Sequence, residues 1–295
     1  MGKDVAERFP AARAVFERSD AALAFSLSRL MWDGPESELT LTHNAQPAIL
    51  VHSLAVHAVV AERLRPMAAA GHSLGEYTAY AALGALQLED AVRLVRRRGE
   101  LMLEAGARRP GTMAAVIGMP GERVVEICAA VSAADAVVVA ANLNAPDQTV
   151  ISGDPAGVER AGAALKEAGA RRVLPLKVSG AFHSPLMAPA ADGLAEALDG
   201  VALGDPAAPV IANASAEPVR DGPSARRLLA EQLTAPVRWV ASMQCAAALA
   251  DGAAFIEVGP GTVLAGLLKR IVPDAAVLSL GTADEVDAFL SQGLA

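Results

Sequence analysis

The chain has 295 residues and a formal net charge of −8, which excludes the broad positive field that general nucleic-acid binding requires. Of its residues 53% are apolar and only 3% aromatic, so close-packed, alanine-rich helices are expected rather than an aromatic binding surface. Cys128 and Cys245 stand far apart without metal-ligand spacing, no apolar run reads as long and pure enough to span a bilayer, and Met1-Gly2-Lys3-Asp4 opens no hydrophobic signal core, so a cytoplasmic chain is expected.

In chain order, the first third reads as helical from about Ala11 through Leu64, with breaks near Gly34-Pro35 and near Pro47. A short apolar stretch, Pro66 to Ala70, runs into Gly71. One helix is predicted after Gly75 and another from about Glu89 to Ala105. The middle then changes character. Thr112–Gly118 reads as a strand, Gly121–Val131 as a helix, and Val137–Asn142 and Thr149–Ser152 as strands. Asp154 caps a helix reaching about Ala168, and Val173–Val178 is a further strand. The run β-α-β-β-α-β is the ferredoxin-like pattern, which places a small inserted subdomain at roughly 110–178. The flanking segments, 1–109 and 179–295, form the larger α/β part, with short strands at Val210–Ala212 and Ala254–Val258.

Gly71-His72-Ser73-Leu74-Gly75 matches G-x-S-x-G. Serine is a poor nucleophile unless it is held on a strained turn beside a base, and glycines permit that turn between a strand and a helix. The same five residues also fit an ordinary glycine-rich turn. His72 is read as structural, because a neighbour in sequence at such a turn points away from the serine.

Four other histidines are present. His52 and His57 fall in a predicted helix as packing or surface residues, and His43 precedes Gln46-Pro47 as a cap or loop residue. His183 lies in the loop Ser179-Gly180-Ala181-Phe182-His183-Ser184-Pro185 between a strand and a helix, where catalytic residues gather in α/β folds. No acid is an obvious third member, since Asp192 falls on the next helix facing solvent. The expectation is a Ser-His dyad whose imidazole is oriented by a backbone carbonyl.

Ala91, Val95, Arg98 and Met102 share one helix face, whereas Arg96 and Arg97 point elsewhere. An arginine on an apolar stripe needs an internal carboxylate, a substrate carboxylate, or a route out to water. The sequence leaves these three open.

The ordered series Gln46-Pro47-Ala48, Gly71-His72-Ser73-Leu74-Gly75-Glu76-Tyr77, Arg98-Gly99, Asn142-Leu143-Asn144-Ala145-Pro146, Gly180-Ala181-Phe182-His183-Ser184 and Glu257-Val258-Gly259-Pro260-Gly261 resembles malonyl-CoA:acyl carrier protein transacylases and the acyltransferase domains of polyketide synthases. The resemblance runs from near residue 1 to about residue 272. It implies an α/β-hydrolase-like large subdomain with a ferredoxin-like small one. It also implies Ser73 as nucleophile, His183 as general base and acid, the Leu74 amide as an oxyanion-hole donor, and Arg98 as partner of the malonyl carboxylate. Gln46 and Asn144 match polar positions around the site. Phe182 resembles the malonyl-selecting type, whose ring crowds a methyl-branched acyl group.

The chain begins just after the place where family members carry a strand and a Gly-Gln-Gly-Ser-Gln loop, whose glutamine supplies a second oxyanion donor. It also has Ala235 where they often have Asn beside the histidine. The implied reaction is ping-pong transfer of malonyl from malonyl-CoA to the phosphopantetheine thiol of acyl carrier protein, without metal or cofactor, by a monomer. Lys166, Arg171, Arg172 and Lys177 form a candidate patch for an acidic carrier. A serine hydrolase or thioesterase, and a truncated non-catalytic paralogue that binds acyl-CoA or carrier protein, are the alternatives.

Overall fold

The computed structural model describes residues 1–178 and 180–291. Ser179, at the expected subdomain boundary, and the last four residues of the expected 179–295 segment lie outside the described residues.

The N-terminal third is a helical layer: α1 (Lys3–Arg8), α2 (Pro10–Leu23), α3 (Leu27–Asp33), α4 (Glu36–Leu39) and α5 (Thr42–Val60). Pro10 opens α2 at a position where no N–H is needed, and the Ser26 side chain caps α3 by accepting from Arg29 N–H. The expected break at Pro47 is absent, because Pro47 lies inside α5. A mid-helix proline leaves the carbonyl four residues earlier without its N–H partner. That carbonyl belongs to His43, and Arg96 Nη1 donates to it at 3.0 Å. A compensating donor from a neighbouring helix thus replaces the lost bond. His43 accordingly sits in the first turn of α5 rather than ahead of it.

Contrary to expectation, one helical stretch, Thr42–Arg63, is long and apolar enough by composition to cross a membrane. Of its most apolar 18 residues 67% are buried inside the protein, as befits the central core helix against which α2, α6 and α7 pack.

Next come β1 (Ala69–Ala70), α6 (Leu74–Ala82) and α7 (Leu88–Arg108). The last is a turn longer than the expected Glu89–Ala105. β2 (Thr112–Ile117), α8 (Gly121–Val131), β3 (Val138–Ala145), β4 (Gln148–Gly153), α9 (Pro155–Glu167) and β5 (Arg172–Pro175) follow. These strands form one antiparallel sheet in the order β3-β4-β2-β5. Val116, Ile151 and Val138 from the sheet meet Val124, Ile127, Val158 and Leu165 from α8 and α9 in a core separate from the main one.

Two strand ends and one cap in this region differ from expectation. β3 extends three residues beyond Asn142, because Leu143 and Ala145 still pair with Thr149 and Gln148 of β4; on its other side Val237 N donates to Ala141 O at 2.8 Å and Leu143 N to Val237 O at 2.9 Å. β5 ends at Pro175 rather than Val178. Asp154 occupies the N-cap position of α9 but does not cap it; its carboxylate accepts from Val137 N and from Arg109.

The C-terminal part comprises α10 (Ala188–Asp199), β6 (Val210–Ile211), β7 (Pro218–Val219), α11 (Gly222–Gln232), α12 (Trp239–Ala250), β8 (Phe255–Val258), α13 (Val263–Ile271), β9 (Val277–Leu280) and α14 (Ala283–Ser291). β6 pairs with β1 in parallel and with β7 antiparallel, so the strand before the serine turn and the strand before Asn213 lie side by side. β8 and β9 form a separate parallel pair. The whole is a mixed α/β fold.

Candidate active site

Ser73 is the residue between β1 and α6, with φ 52° and ψ −105°. Positive φ on a non-glycine residue stores strain and survives only where the surroundings over-determine it. Two features do so here. A Cβ at Gly71 would lie 1.9 Å from the carbonyl carbon and oxygen of Gly75, so only glycine lets the strand end meet the helix start. A Cβ at Gly75 would meet nothing within 4 Å, so the steric demand of the motif sits on Gly71. Asn213 then brackets the turn: its Oδ1 accepts Ser73 N–H at 2.6 Å, and its Nδ2 donates to Gly71 O at 2.8 Å. Leu74 is the first helical residue, so its N–H is among those a helix leaves without an internal acceptor.

His183 also has positive φ, at 55°, and is buried. Its Nδ1–H donates to the carbonyls of Gln232 at 3.0 Å and Ala235 at 3.2 Å. With the proton on Nδ1, Nε2 is left as an acceptor, and the Ser73 hydroxyl donates to it at 2.7 Å. Burial, reinforced by the Arg98 charge, pushes the imidazole down to about 3, so it stands neutral with the Nε2 lone pair available to the serine hydroxyl. Asp192 is on α10 and exposed, away from this pair.

Arg98, on α7, is only 1% exposed, which rules out a route to solvent. It makes no ion pair among the described residues. Nη1 donates to Gln46 Oε1 at 2.5 Å, and Nη2 donates to Gln232 Oε1 at 3.0 Å and to Ser73 Oγ at 3.1 Å. Its guanidinium also lies over the Tyr77 ring, 5.4 Å from the centroid. A buried cation held only by neutral groups beside a nucleophile is a ready place for an anion.

Ser73, His183, Arg98 and Gln46 therefore meet at one point. Asn144 does not touch them directly. Its Oδ1 accepts from His72 Nε2 at 2.8 Å, and the His72 ring packs edge-on against Trp239 at 5.3 Å. His72 is thus occupied in supporting the turn from behind. Phe182 is half-buried next to His183, its ring against Gly180. Lys166, Arg171, Arg172 and Lys177 are all exposed: Lys166 in the last turn of α9, Arg171 directly before β5 and Arg172 at its start, and Lys177 two residues past its end. Among the described residues no group of three or more His, Cys, Asp or Glu could hold a metal ion.

The sequence assigned no role to Asn213, Gln232 or Glu76, although Glu76 stands in the serine motif. The last accepts from Asn213 N at 2.9 Å and from Gln232 Nε2 at 2.7 Å. Asn213 stands directly after the strand read at Val210–Ala212, and a polar residue at the end of a strand beside the serine turn was the one local signal available.

A serine hydroxyl bonded to a neutral imidazole, with a helix N-terminus beside them, is an arrangement able to form and discharge an acyl ester, the chemistry of acyl transfer. The comparisons are narrower: residues 1–286 match the acyl transferase domain family, and the chain belongs to that family. It is 46% identical over 273 residues to the malonyl CoA-acyl carrier protein transacylase of Bacillus subtilis (strain 168), covering 92% of this chain and 86% of that protein. An acyl carrier protein S-malonyltransferase from Vibrio cholerae superposes with a TM-score of 0.93 at 38% identity, over 98% of this chain and 94% of that one. A malonyl-transacylase solved in complex with its type II PKS acyl-carrier protein superposes with a TM-score of 0.92 at 39% identity, over 98% and 93% of the two chains.

Proposed function

We propose that this chain transfers a malonyl group from malonyl-CoA to the phosphopantetheine thiol of an acyl carrier protein, through a malonyl ester on Ser73. The observation that carries the reading is Arg98 Nη2 at 3.1 Å from Ser73 Oγ, on a buried guanidinium with no carboxylate partner among the described residues. The relatives' activity and the carrier protein bound to one of them support the same substrates.

In the acylation step, His183 Nε2 takes the Ser73 proton as Oγ attacks the thioester carbonyl. The Leu74 N–H faces the developing oxyanion. The tetrahedral intermediate collapses, the coenzyme A sulfur leaves with the proton from His183, and the malonyl ester remains. The carrier thiol then gives its proton to His183 and attacks the ester carbonyl; the acyl C–Oγ bond breaks and His183 returns the proton to Ser73 Oγ. The coenzyme A thioester is the substrate, and no cofactor enters either step. Arg98 exchanges its contact with Ser73 for the malonyl carboxylate, and the Phe182 ring limits branching beside it. The exposed cations at Lys166, Arg171, Arg172 and Lys177, with Leu174 exposed between Arg172 and Lys177 and Val178 exposed after them, suit an acidic carrier.

We read the architecture as an α/β-hydrolase-like large subdomain, 1–109 and 179–295, with a ferredoxin-like small subdomain at 110–178. The sheet order β3-β4-β2-β5, crossed by α8 and α9 over a core of its own, supports the division.

A plain serine hydrolase would need no buried cation beside its nucleophile, so acyl selectivity tests the reading. Acylation of Ser73 is followed with malonyl-CoA and with acetyl-CoA. Arg98→Ala is expected to lower malonyl kcat/KM by about a hundredfold or more, the usual cost of losing a desolvated charge pair, while acetyl acylation changes little. An Arg98→Ala chain that still prefers malonyl would overturn the assignment.

A further inference from the structure

Among the described residues Glu76 is the only carboxylate in the fully buried set, and no step of the proposed reaction uses it. It lies one turn into α6 from Ser73. Its Oε2 accepts two hydrogen bonds, from Asn213 N at 2.9 Å and Gln232 Nε2 at 2.7 Å, while Oε1 has no partner. A carboxylate so enclosed is costly, and burial pushes it up to about 7. Nothing in its own packing requires an acid there, so its partners must supply the reason.

Those partners lead to Arg98. Glu76 makes no direct hydrogen bond to the guanidinium; the side-chain amide of Gln232 stands between them. Gln232 Nε2 donates to Glu76 Oε2 and to Ser73 O at 2.9 Å, and Gln232 Oε1 accepts from Arg98 Nη2 at 3.0 Å. An amide has two ends, and only one orientation serves here. Turned over, its NH2 would face the guanidinium and its oxygen would face the carboxylate. The carboxylate therefore fixes which end meets the arginine. Arg98 Nη2 in turn is aimed at Ser73 Oγ. The other Glu76 contact, through the backbone of Asn213, steadies the side chain that brackets the serine turn.

We propose that Glu76 is a positioning residue: acting through the Gln232 amide, it holds the Arg98 fork in place beside Ser73 and thereby sets the preference for acyl groups that end in a carboxylate. It touches no substrate atom. The inference rests on the reading of Arg98 as the carboxylate partner.

The test measures kcat/KM for Ser73 acylation with malonyl-CoA and acetyl-CoA in Glu76→Ala, Glu76→Gln and Arg98→Ala. Glu76→Ala is expected to reduce the malonyl-to-acetyl ratio by about tenfold or more, as expected when a hydrogen bond that orders a charged group is lost. Glu76→Gln keeps an oxygen able to accept both N–H bonds and should hold the ratio within about threefold of the original. A residue that merely stabilised the fold would slow both acyl groups alike, so an unchanged ratio in Glu76→Ala overturns the role. Should Glu76→Ala fail to fold, Gln232→Met removes the bridging amide and spares the carbonyl that holds His183. It must lower the ratio similarly, and an unchanged ratio there counts equally against the proposal. Arg98→Ala separates the two layers. If it collapses the ratio while Glu76→Ala and Gln232→Met do not, only the positioning role fails. If it leaves the ratio intact, the underlying reading of Arg98 fails and this role with it.

Discussion

The Ser73→Ala chain, incubated with malonyl-CoA, is expected to show no malonyl adduct by intact mass, whereas the unaltered chain gains one. The expectation follows from how little else in the site can carry an acyl group. Ser73 Oγ donates to His183 Nε2 at 2.7 Å and receives Arg98 Nη2 at 3.1 Å, so base and cation converge on that one oxygen. Removing it takes away the atom proposed to attack and leaves the rest standing. The bonds that hold the turn use the backbone N–H of Ser73 and the carbonyl of Gly71, neither of which the substitution alters. Positive φ is as strained for alanine as for serine, so the backbone there gains no new penalty. A folded chain with its acylation rate reduced on the order of a millionfold is the outcome, by comparison with other serine enzymes stripped of their nucleophile. Circular dichroism would confirm the fold. An adduct that persists in Ser73→Ala would move the chemistry to another residue and dismantle the site assigned here.

The parts of this site that the sequence announced are those whose chemistry is local. A strained turn needs its glycine two residues before the serine, and Gly71 stands there with no room for a Cβ. Arg98 betrayed itself by sharing a helix face with Ala91, Val95 and Met102, which burial then completed. The carbonyl partner of His183 was inferable in kind, because no acid was placed to take its role. What was not legible depends on contacts between distant segments. Asn213 is 140 residues from the Ser73 N–H it accepts, and Gln232 is 156 residues from Glu76. Neither carries a motif of its own, and a lone Asn or Gln can serve anywhere. The same reason explains the misread break at Pro47: a proline ends a helix unless a donor reaches the orphaned carbonyl, and Arg96, 53 residues away, does. Asp154 was misread in the opposite sense, since its position suited a cap but Arg109 and Val137 N–H took its oxygens.

His183→Ala is expected to lower the acylation rate by roughly five orders of magnitude, close to the loss from Ser73→Ala, because residues acting as one unit are not additive. In the proposed reaction the imidazole has two duties that no neighbour can assume. Its Nε2 accepts the serine proton, and its Nδ1–H, held by the Gln232 and Ala235 carbonyls, keeps the correct tautomer facing Oγ. Arg98, the other group at Oγ, carries only donors and cannot act as a base. The pH dependence provides an independent check. With His183 pushed down to about 3 from an ordinary value of 6.5, the free enzyme should show no loss of acylation centred on 6.5, as an unperturbed histidine base would produce. An inflection near 7 would belong to Glu76 and should disappear in Glu76→Gln. Stability carries the same two signs. His183 has its folded value below its unfolded one, so its contribution is present above 6.5 and is lost as pH falls toward 3. Glu76 has its folded value raised from 4.5 to about 7, so its contribution is present below 4.5 and is lost as pH rises through 7. Between 4.5 and 6.5 the two slopes oppose each other. Thermal melts should therefore show Glu76→Gln gaining on the unaltered chain as pH rises from 4.5 to about 7 and keeping that gain above it, and a gain confined to acid would contradict the burial of Glu76.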